Sequence, residues 1–344
     1  MIHIGKRIIG EGNPCYIIAE LGVNHNGDLD LAKKMIDTAK KCGADAVKFQ
    51  SWITEETIAK GTALPKYMKA TGCDGQTQYE MAQQWEFSHR DFQLLAQYAK
   101  KTGIDFLSTP EGKTCIDWLE QIGVIAYKIA SPDIINHPDI EYIAKTGKPI
   151  ILSTGMATLD EIQSAVSLIK KMGNKNIILL HCTSNYPTRL DDVNLNAMVT
   201  LKKKFRTLIG YSDHTPGDMV PAVAVALGAC IIEKHFTLDK TLPGPDHKAS
   251  LEPDEFEEMV KKIRLVEKIL GSYVKAPLPS ETEMLTLTRK FILANKKILK
   301  GQVISGEDIA IKRTTNGIHY PTQGNLKKII GKKAKQDYTI DEPI

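Results

Sequence analysis

One theme repeats along residues 15–270. A short run rich in Ile, Val and Leu ends in a polar or glycine cluster, and an amphipathic segment follows. The runs are Tyr16–Leu21, Ala44–Phe49, Asp105–Ser108, Ala126–Ala130, Pro149–Leu152, Ile177–Leu180, Thr207–Gly210 and Ala229–Glu233, eight in all. Helical patterns fill the intervals at Leu29–Cys42, His89–Thr102, Leu159–Met172 and Asp254–Leu270; the last places Phe256, Met259, Val260, Ile263 and Val266 at helical spacing. Apolar strands alternating with helices imply a parallel sheet covered on both faces. Eight such units predict an α/β chain folded as a (β/α)8 TIM barrel. An open doubly wound sheet is the competing arrangement. It is disfavoured because the eighth unit is present and no dinucleotide-type glycine fingerprint follows the first run.

The barrel is expected over residues 1–271. One connection is anomalous: 36 residues separate Gln50 from Phe87, with a helix expected near Gln78–Gln84. A connection this long in a barrel serves as a lid or meets a partner subunit. Residues 272–288, with two prolines, read as a linker. Residues 289–344 read as a small β-rich unit with runs at Phe291–Ala294, Ile309–Lys312 and Tyr338–Ile340. A unit of this size is marginal alone and needs something to dock on.

Composition removes several function classes. The 344 residues are 25% charged and 42% hydrophobic, with a net charge of +4, which fits neither a disordered tail nor a disulfide scaffold. Lys202–Lys204 reads as a solvated helix face, so no nucleic-acid partner is expected. The longest apolar run, Met219–Ile232, is broken by Pro221 and Gly228, so no membrane partner is expected either. The N-terminus has no signal pattern, and a cytoplasmic location is expected. Six widely spaced cysteines, with no Cys-x-x-Cys pair, read as free thiols packed as small hydrophobes.

In such a barrel the loops after the strands build the active site. Following the runs in order come Glu20 and Asn24-His25-Asn26-Gly27; Lys48 and Gln50; Thr109 and Glu111; Lys128, Ser131 and Asp133; Ser153; His181, Ser184 and Tyr186; Ser212 and His214; and Glu233, His235 and Asp246. Lysines with hydroxyls and glycine-flanked amides suit a phosphate beside a carboxylate. His214 and His235 end adjacent strands and can share a divalent ion with positions left open. Glu20 and Asp133 are available for proton transfer. His25 reads as a turn-forming residue and His181 as a hydrogen-bonded core residue.

The blocks Ala19–Gly27, Val47–Gln50, Leu107–Pro110, Tyr127–Ser131, Leu152–Met156, His181–Ser184, Gly210–His214 and Glu233–Thr237 resemble the sialic acid synthase family, and Ile311–Gly317 resembles the SAF, or antifreeze-like, domain that ends those synthases. The resemblance implies condensation of phosphoenolpyruvate with an N-acetylmannosamine-like hexose to a nine-carbon 3-deoxy-2-ulosonic acid and phosphate. It implies that Glu20, Asp133, His214 and His235 are catalytic. His214 and His235 would hold manganese, or magnesium or cobalt. Lys48, Thr109, Lys128, Ser131, Ser153, Ser184 and Ser212 would bind phosphoenolpyruvate, and Gln50, Tyr186 and Asp246 would face the sugar; Glu111, which departs from the family pattern, is expected beside them. Arg313 would reach across a domain-swapped homodimer.

Two departures stand out. Ser131-Pro132-Asp133 replaces the family's frequent Ser-Gly-Glu, shortening the carboxylate's reach. Glu111 replaces a Phe, which points to a modified or more polar hexose. Competing readings are another synthase joining phosphoenolpyruvate to an aldose, a non-catalytic carbohydrate- or ice-binding protein, and a metal-dependent hydrolase. A hydrolase of that kind typically carries His-x-His after the first strand, and this chain has Glu20 and a lone His25.

Overall fold

The computed structural model describes residues 1–65, 68, 77–314 and 323–344. It divides into two compact units, Met1–Gly271 and Ser272–Ile344. The first opens with an antiparallel hairpin, β1 (Ile2–Ile4) and β2 (Arg7–Ile9). Eight strands follow: β3 (Tyr16–Gly22), β4 (Ala46–Ser51), β5 (Asp105–Pro110), β6 (Tyr127–Ile129), β7 (Ile150–Ser153), β8 (Ile177–Cys182), β9 (Leu208–Asp213) and β10 (Ile231–His235). Their sheet order, β5-β4-β3-β10-β9-β8-β7-β6, is the chain order taken in a ring. Parallel pairing of β10 with β3 joins the last strand to the first. An open doubly wound sheet lacks that pairing, so the fold is a (β/α)8 barrel. Strands β5 and β6 lie side by side without a hydrogen-bonded ladder.

The two-residue period of a strand sorts side chains between two cores. Ile17, Ala19, Leu21, Val47, Phe49, Tyr127, Leu152, Leu179 and Tyr211 face the helices. Tyr16, Ile18, Ala46, Leu107, Ala126, Ile151, Ile178, Leu180 and Ile231 fill the barrel, joined by Ile2, Ile4 and Ile9 of the hairpin. The hairpin therefore plugs the barrel's interior core. Helices supply the outer layer through one apolar face each. In Pro253–Leu270 the buried residues are Phe256, Met259, Val260 and Ile263, with Val266 packed at the edge. Helix starts are set by side-chain caps: Asp28 before Leu29–Lys41, and Ser88 and Thr158 with reciprocal acidic partners before His89–Thr102 and Leu159–Lys171.

The long connection forms its own cluster of Val23, Trp52, Leu64, Met81, Ala82 and Trp85, and its helix spans Gln78–Trp85. Five cysteines, Cys15, Cys42, Cys115, Cys182 and Cys230, are buried free thiols; Cys73 lies outside the described residues. Among the described residues, no helix is long and apolar enough to cross a membrane.

The second unit departs from expectation twice. Residues 272–288, expected as a linker, carry a 3-10 turn at Pro279–Glu281 and a helix at Thr282–Thr288. Pro279 sits in the turn's first position, where its fixed φ favours helical winding. Strands β11 (Lys290–Ala294) and β12 (Ile309–Arg313) pair antiparallel, but Tyr338–Ile340 forms no strand. Tyr338 makes an isolated bridge to Ile298, a single crossing over a small core of Ala294, Ile298, Ile304 and Ala334. The run expected to continue past Arg313 lies from residue 315 outside the described residues.

Gly210 occupies a barrel-facing position on β9. A Cβ there would lie 2.5 Å from the Ile231 carbonyl oxygen and 2.6 Å from Leu180 Cδ2. The backbone of β10 cannot retreat without breaking its ladder, so Gly210→Ala should destabilise the barrel by about 1–3 kcal/mol, read by chemical denaturation.

Candidate active site

Two residues beyond the apolar layer, along each of several strands, the interior turns polar. Glu20 follows Ile18, Lys48 follows Ala46, Thr109 follows Leu107, Lys128 follows Ala126, Ser153 follows Ile151, Ser212 follows Gly210 and Glu233 follows Ile231. All seven are buried. Glu20, Lys48 and Lys128 lie on strands within the expected runs, and Gln50, Thr109, Ser153, Ser212 and His235, expected in the loops after them, also sit on the strands. The apolar run ends before the ladder does, because the barrel's upper layer is hydrogen-bonded sheet lined with polar side chains.

At the centre four charges meet. Lys48 is ion-paired with Glu20, and its Nζ donates to Thr109 Oγ1 at 3.0 Å. Glu233 lies 4.0 Å from Lys48 and 3.4 Å from Lys128, and accepts from Ser212 Oγ at 3.0 Å. Gln50 Nε2 donates to Glu20 Oε1 at 3.0 Å. Burial disfavours every one of these charges, and their neighbours decide the outcome. For Glu20 burial prevails, with Glu233 adding to it, and its pKa is raised. For Lys128 burial also prevails, with Lys48 adding to it, and its pKa is lowered. For Lys48 burial is outweighed by Glu20 and Glu233, and its pKa is raised. For Glu233 burial is outweighed by Lys128 and Lys48, and its pKa is lowered. Glu233 carried no assigned role in the sequence reading. Its placement on the same strand face as His235, two residues away, is the signal that could have found it.

Beside Lys128 lies a concave wall of small polar groups. Ser131 Oγ accepts from the Gly155 N–H at 3.0 Å, and Ser153 Oγ is buried without a hydrogen-bond partner. A Cβ on Gly155 would collide with the hydroxyls of Ser184 and Ser131. Glycine is needed there so that the hydroxyls can crowd the backbone, as an anion cradle requires.

The rings of His214 and His235 lie beside each other with centroids 5.3 Å apart, and the Tyr186 ring lies 4.2 Å from His214. His214 Nδ1 is hydrogen-bonded to the Thr183 carbonyl oxygen at 2.8 Å, which orients the ring and leaves Nε2 available. His235 Nδ1 is buried without a hydrogen bond, with Asp246 Oδ2 at 3.5 Å. Burial, then His214, holds His235 well below the usual histidine range and therefore neutral, the form that ligates metal. Two imidazoles, one with an orphaned nitrogen, fit a divalent first-row ion. Among the described residues no group of three or more His, Cys, Asp or Glu forms a closed cage, so such a site would keep open positions. The motif reading gave the cysteines no role, yet Cys182 Sγ lies 3.7 Å from His214 Nδ1. Burial raises the thiol's pKa, but His214, Lys128 and Ser131 together outweigh it and the net shift is downward.

Above the metal-competent pair opens a cavity of about 200 Å³, lined by Val23, Trp52, Ile58, Met68, Met81, Ala82 and Trp85 on one side and by Gln50, Glu111, Tyr186, His235, Pro245 and Asp246 on the other. Burial raises Asp246 to about 6, with Glu20 adding to it. Burial raises Asp133 to about 6, with Asp139 adding to it. Asp133 lies in the 3-10 turn Pro132–Ile135. His25 holds its own turn, Nδ1 accepting from the Gly27 N–H at 3.1 Å, with its ring stacked on Phe87. His181 Nε2 bonds the Val193 carbonyl oxygen, away from the site. Arg313 lies exposed at the end of β12 in the second unit.

Glu111 is held protonated up to about pH 7, by burial first and Asp133 second. Below the ordinary carboxylate pKa, both folded and unfolded chains carry the proton. Between there and about 7 the folded chain binds more protons, so stability falls as pH rises, and above 7 the loss is complete. Glu111→Gln abolishes this loss. It should be more stable than the wild type at pH 8 by about 1–3 kcal/mol, with the gain vanishing by pH 4, as denaturant titrations at the two pH values would report.

Residues 35–275 match the model of the NeuB family. The chain is 44% identical to the N,N'-diacetyllegionaminic acid synthase of Legionella pneumophila, over 94% of this chain and 91% of that protein. It is 38% identical to the human N-acetylneuraminate-9-phosphate synthase, over 98% of this chain and 94% of that protein. Among solved structures, the N-acetylneuraminic acid synthetase of Leptospira borgpetersenii superposes with a TM-score of 0.75 at 42% identity, covering 83% of this chain and 94% of that one. The polar layer and the neighbouring imidazoles therefore belong to a family of synthases, and this chain is a member of the NeuB family, whose proteins are sialic acid synthase-like.

Proposed function

We propose that the protein condenses phosphoenolpyruvate with an N-acetylmannosamine-like hexose, giving a nine-carbon 3-deoxy-2-ulosonic acid and inorganic phosphate. The carrying observation is the juxtaposition of the buried Glu20–Lys48–Glu233–Lys128 chain of charges with the neighbouring rings of His214 and His235. The named activities of the relatives, which make sialic-type acids, support the same reading.

In this reading Lys48 and Lys128 bind the substrate's carboxylate and phosphate. Thr109, Ser131, Ser153, Ser184 and Ser212 donate to their oxygens. His214 and His235 would hold a divalent ion, manganese by preference, which supplies Lewis-acid polarisation of the sugar's aldehyde oxygen. Gln50, Tyr186 and Asp246 orient the open-chain sugar so that its aldehyde carbon lies against the enol carbon. The C–C bond forms from the enol carbon to the aldehyde carbon, and the former aldehyde oxygen takes a proton. Water adds at the adjacent carbon and loses a proton. That carbon then expels phosphate with its bridging oxygen, its hydroxyl proton passes to the departing phosphate, and the carbon becomes the keto group. The first two proton transfers fall to Glu20, whose pKa burial raises, and to Asp133, which burial raises to about 6. Residues 289–344 act as a SAF, or antifreeze-like, domain. Arg313 reaches the sugar in the barrel of a partner copy in a swapped homodimer.

Phosphate release should require phosphoenolpyruvate, sugar and divalent metal together, and oxygen-18 placed in the bridging position should emerge in phosphate. Release without sugar, or label retained in the acid, would refute the reaction. His235→Ala should lose turnover by a factor of at least about 1,000 while its circular dichroism and melting curve remain those of a folded barrel.

A further inference from the structure

The cavity beside His235 contains, besides the orphaned His235 Nδ1, a carboxylate that no described protein group pairs with, that of Glu111. The Glu111 backbone N–H is bonded to the Ser51 carbonyl oxygen at 2.8 Å, which fixes the residue at the end of β5. Its carboxylate makes no hydrogen bond or ion pair among the described residues. It faces a wall built by Val23, Trp52, Met81, Ala82 and Trp85, which pack together as a separate apolar cluster. Of the described residues lining this space none is Lys or Arg, and Glu111 and Asp246 are both acidic. Asp133 stands close enough to Glu111 to disfavour its charge further. An apolar or amide side chain would serve the fold better here, because a desolvated carboxylate without a partner costs stability. The missing partner is therefore to be sought in a ligand.

Resting on the synthase reading above, we infer that Glu111 determines acceptor specificity. It takes a hydrogen bond from an N–H or O–H at the end of the hexose remote from the aldehyde, beside an apolar substituent laid on Trp52 and Trp85, and it excludes a phosphorylated hexose. Both halves follow from charge. A neutral donor gains a charge-assisted bond to the carboxylate. A phosphate would be desolvated against carboxylates with no cation among the described lining residues, and this repulsion rejects it. The names of the relatives show that the choice matters, since one ends in a phosphorylated acid and the other does not.

The test is steady-state kinetics at pH 8, above the raised Glu111 value of about 7, with phosphoenolpyruvate and manganese for the wild type, E111Q and E111D. The acceptors are N-acetylmannosamine, its 4-acetamido-4-deoxy analogue and N-acetylmannosamine 6-phosphate. The wild type should favour the two neutral acceptors over the phosphate in kcat/KM. E111Q should narrow that ratio at least about tenfold, chiefly through the KM of the acceptors, and E111D, which keeps the charge, should preserve its direction. A ratio that E111Q leaves unmoved, or a wild type that prefers the phosphorylated sugar, overturns the role of Glu111 while leaving the synthase reading intact. Phosphate release with none of the three acceptors overturns both.

Discussion

Two lysines and two carboxylates meet inside the barrel, and everything above them is arranged around that encounter. Each charge, taken alone, would lose several kcal/mol on leaving water. Lys48 tied to Glu20, and Glu233 set between Lys48 and Lys128, make the layer electrically neutral. Such a chain of charges is weak evidence of stability, since well-packed apolar residues in the same volume would serve a barrel equally well. It does keep two ammonium groups in a dry place, where an arriving dianion meets preoriented cations. The layer also sets the alternation around it. On β9 and β10 the neighbouring residues, Asp213 and Lys234, pair with each other on the opposite face of the sheet, so even the outward-facing charges at these positions are matched.

Much of this was readable without coordinates. The eight apolar runs mark the eight strands, because a strand buried on both faces has no polar position to interrupt it. The closing of the ring was not readable from periodicity, which is equally served by an open sheet; it rests on the pairing of β10 with β3. Most strands outlast their apolar runs. Hydrophobicity stops where the barrel's lining turns polar, whereas the hydrogen-bonded ladder runs on, so Gln50, Thr109, Ser153, Ser212 and His235 are strand residues; β6 is the exception, ending at Ile129 where Ala130 was expected. The second unit was less legible. Its core is small, its crossings beyond the β11–β12 ladder are single bridges, and Tyr338–Ile340, which alternates like a strand, has only one bridge at Tyr338.

Site residues were legible in proportion to how unusual their chemistry is in a core. A lysine two residues beyond a buried alanine announces itself, and so do two histidines on adjacent strand ends. Glu233 was overlooked because it lies beside Lys234 and reads as half of a solvated charge pair. Only the strand's two-residue period separates them, sending Glu233 toward Lys128 and Lys234 toward Asp213. Cys182 was overlooked for the opposite reason. A buried cysteine is an ordinary packing residue, and only its position against His214 makes it more.

The mouth of the barrel obeys a different economy from its centre. In the chain of charges, each carboxylate has a lysine to face. At the mouth Glu111 has none and Asp246 has only the weaker pull of His214 and Lys48, and both hold their protons to unusually high pH because burial prevails. The connection of residues 51–86 sharpens the contrast by bringing Trp52, Met81 and Trp85 over the same space. An apolar wall lowers the local dielectric, and the same lowering that makes an unpaired carboxylate expensive makes a hydrogen bond to it strong. The barrel core therefore tolerates a site whose upper half is destabilising when empty. On the proposed reading the lower half takes a phosphorylated three-carbon acid and the upper half selects its partner, because the charges below are paired by the protein and Glu111 above is left for a ligand's donor.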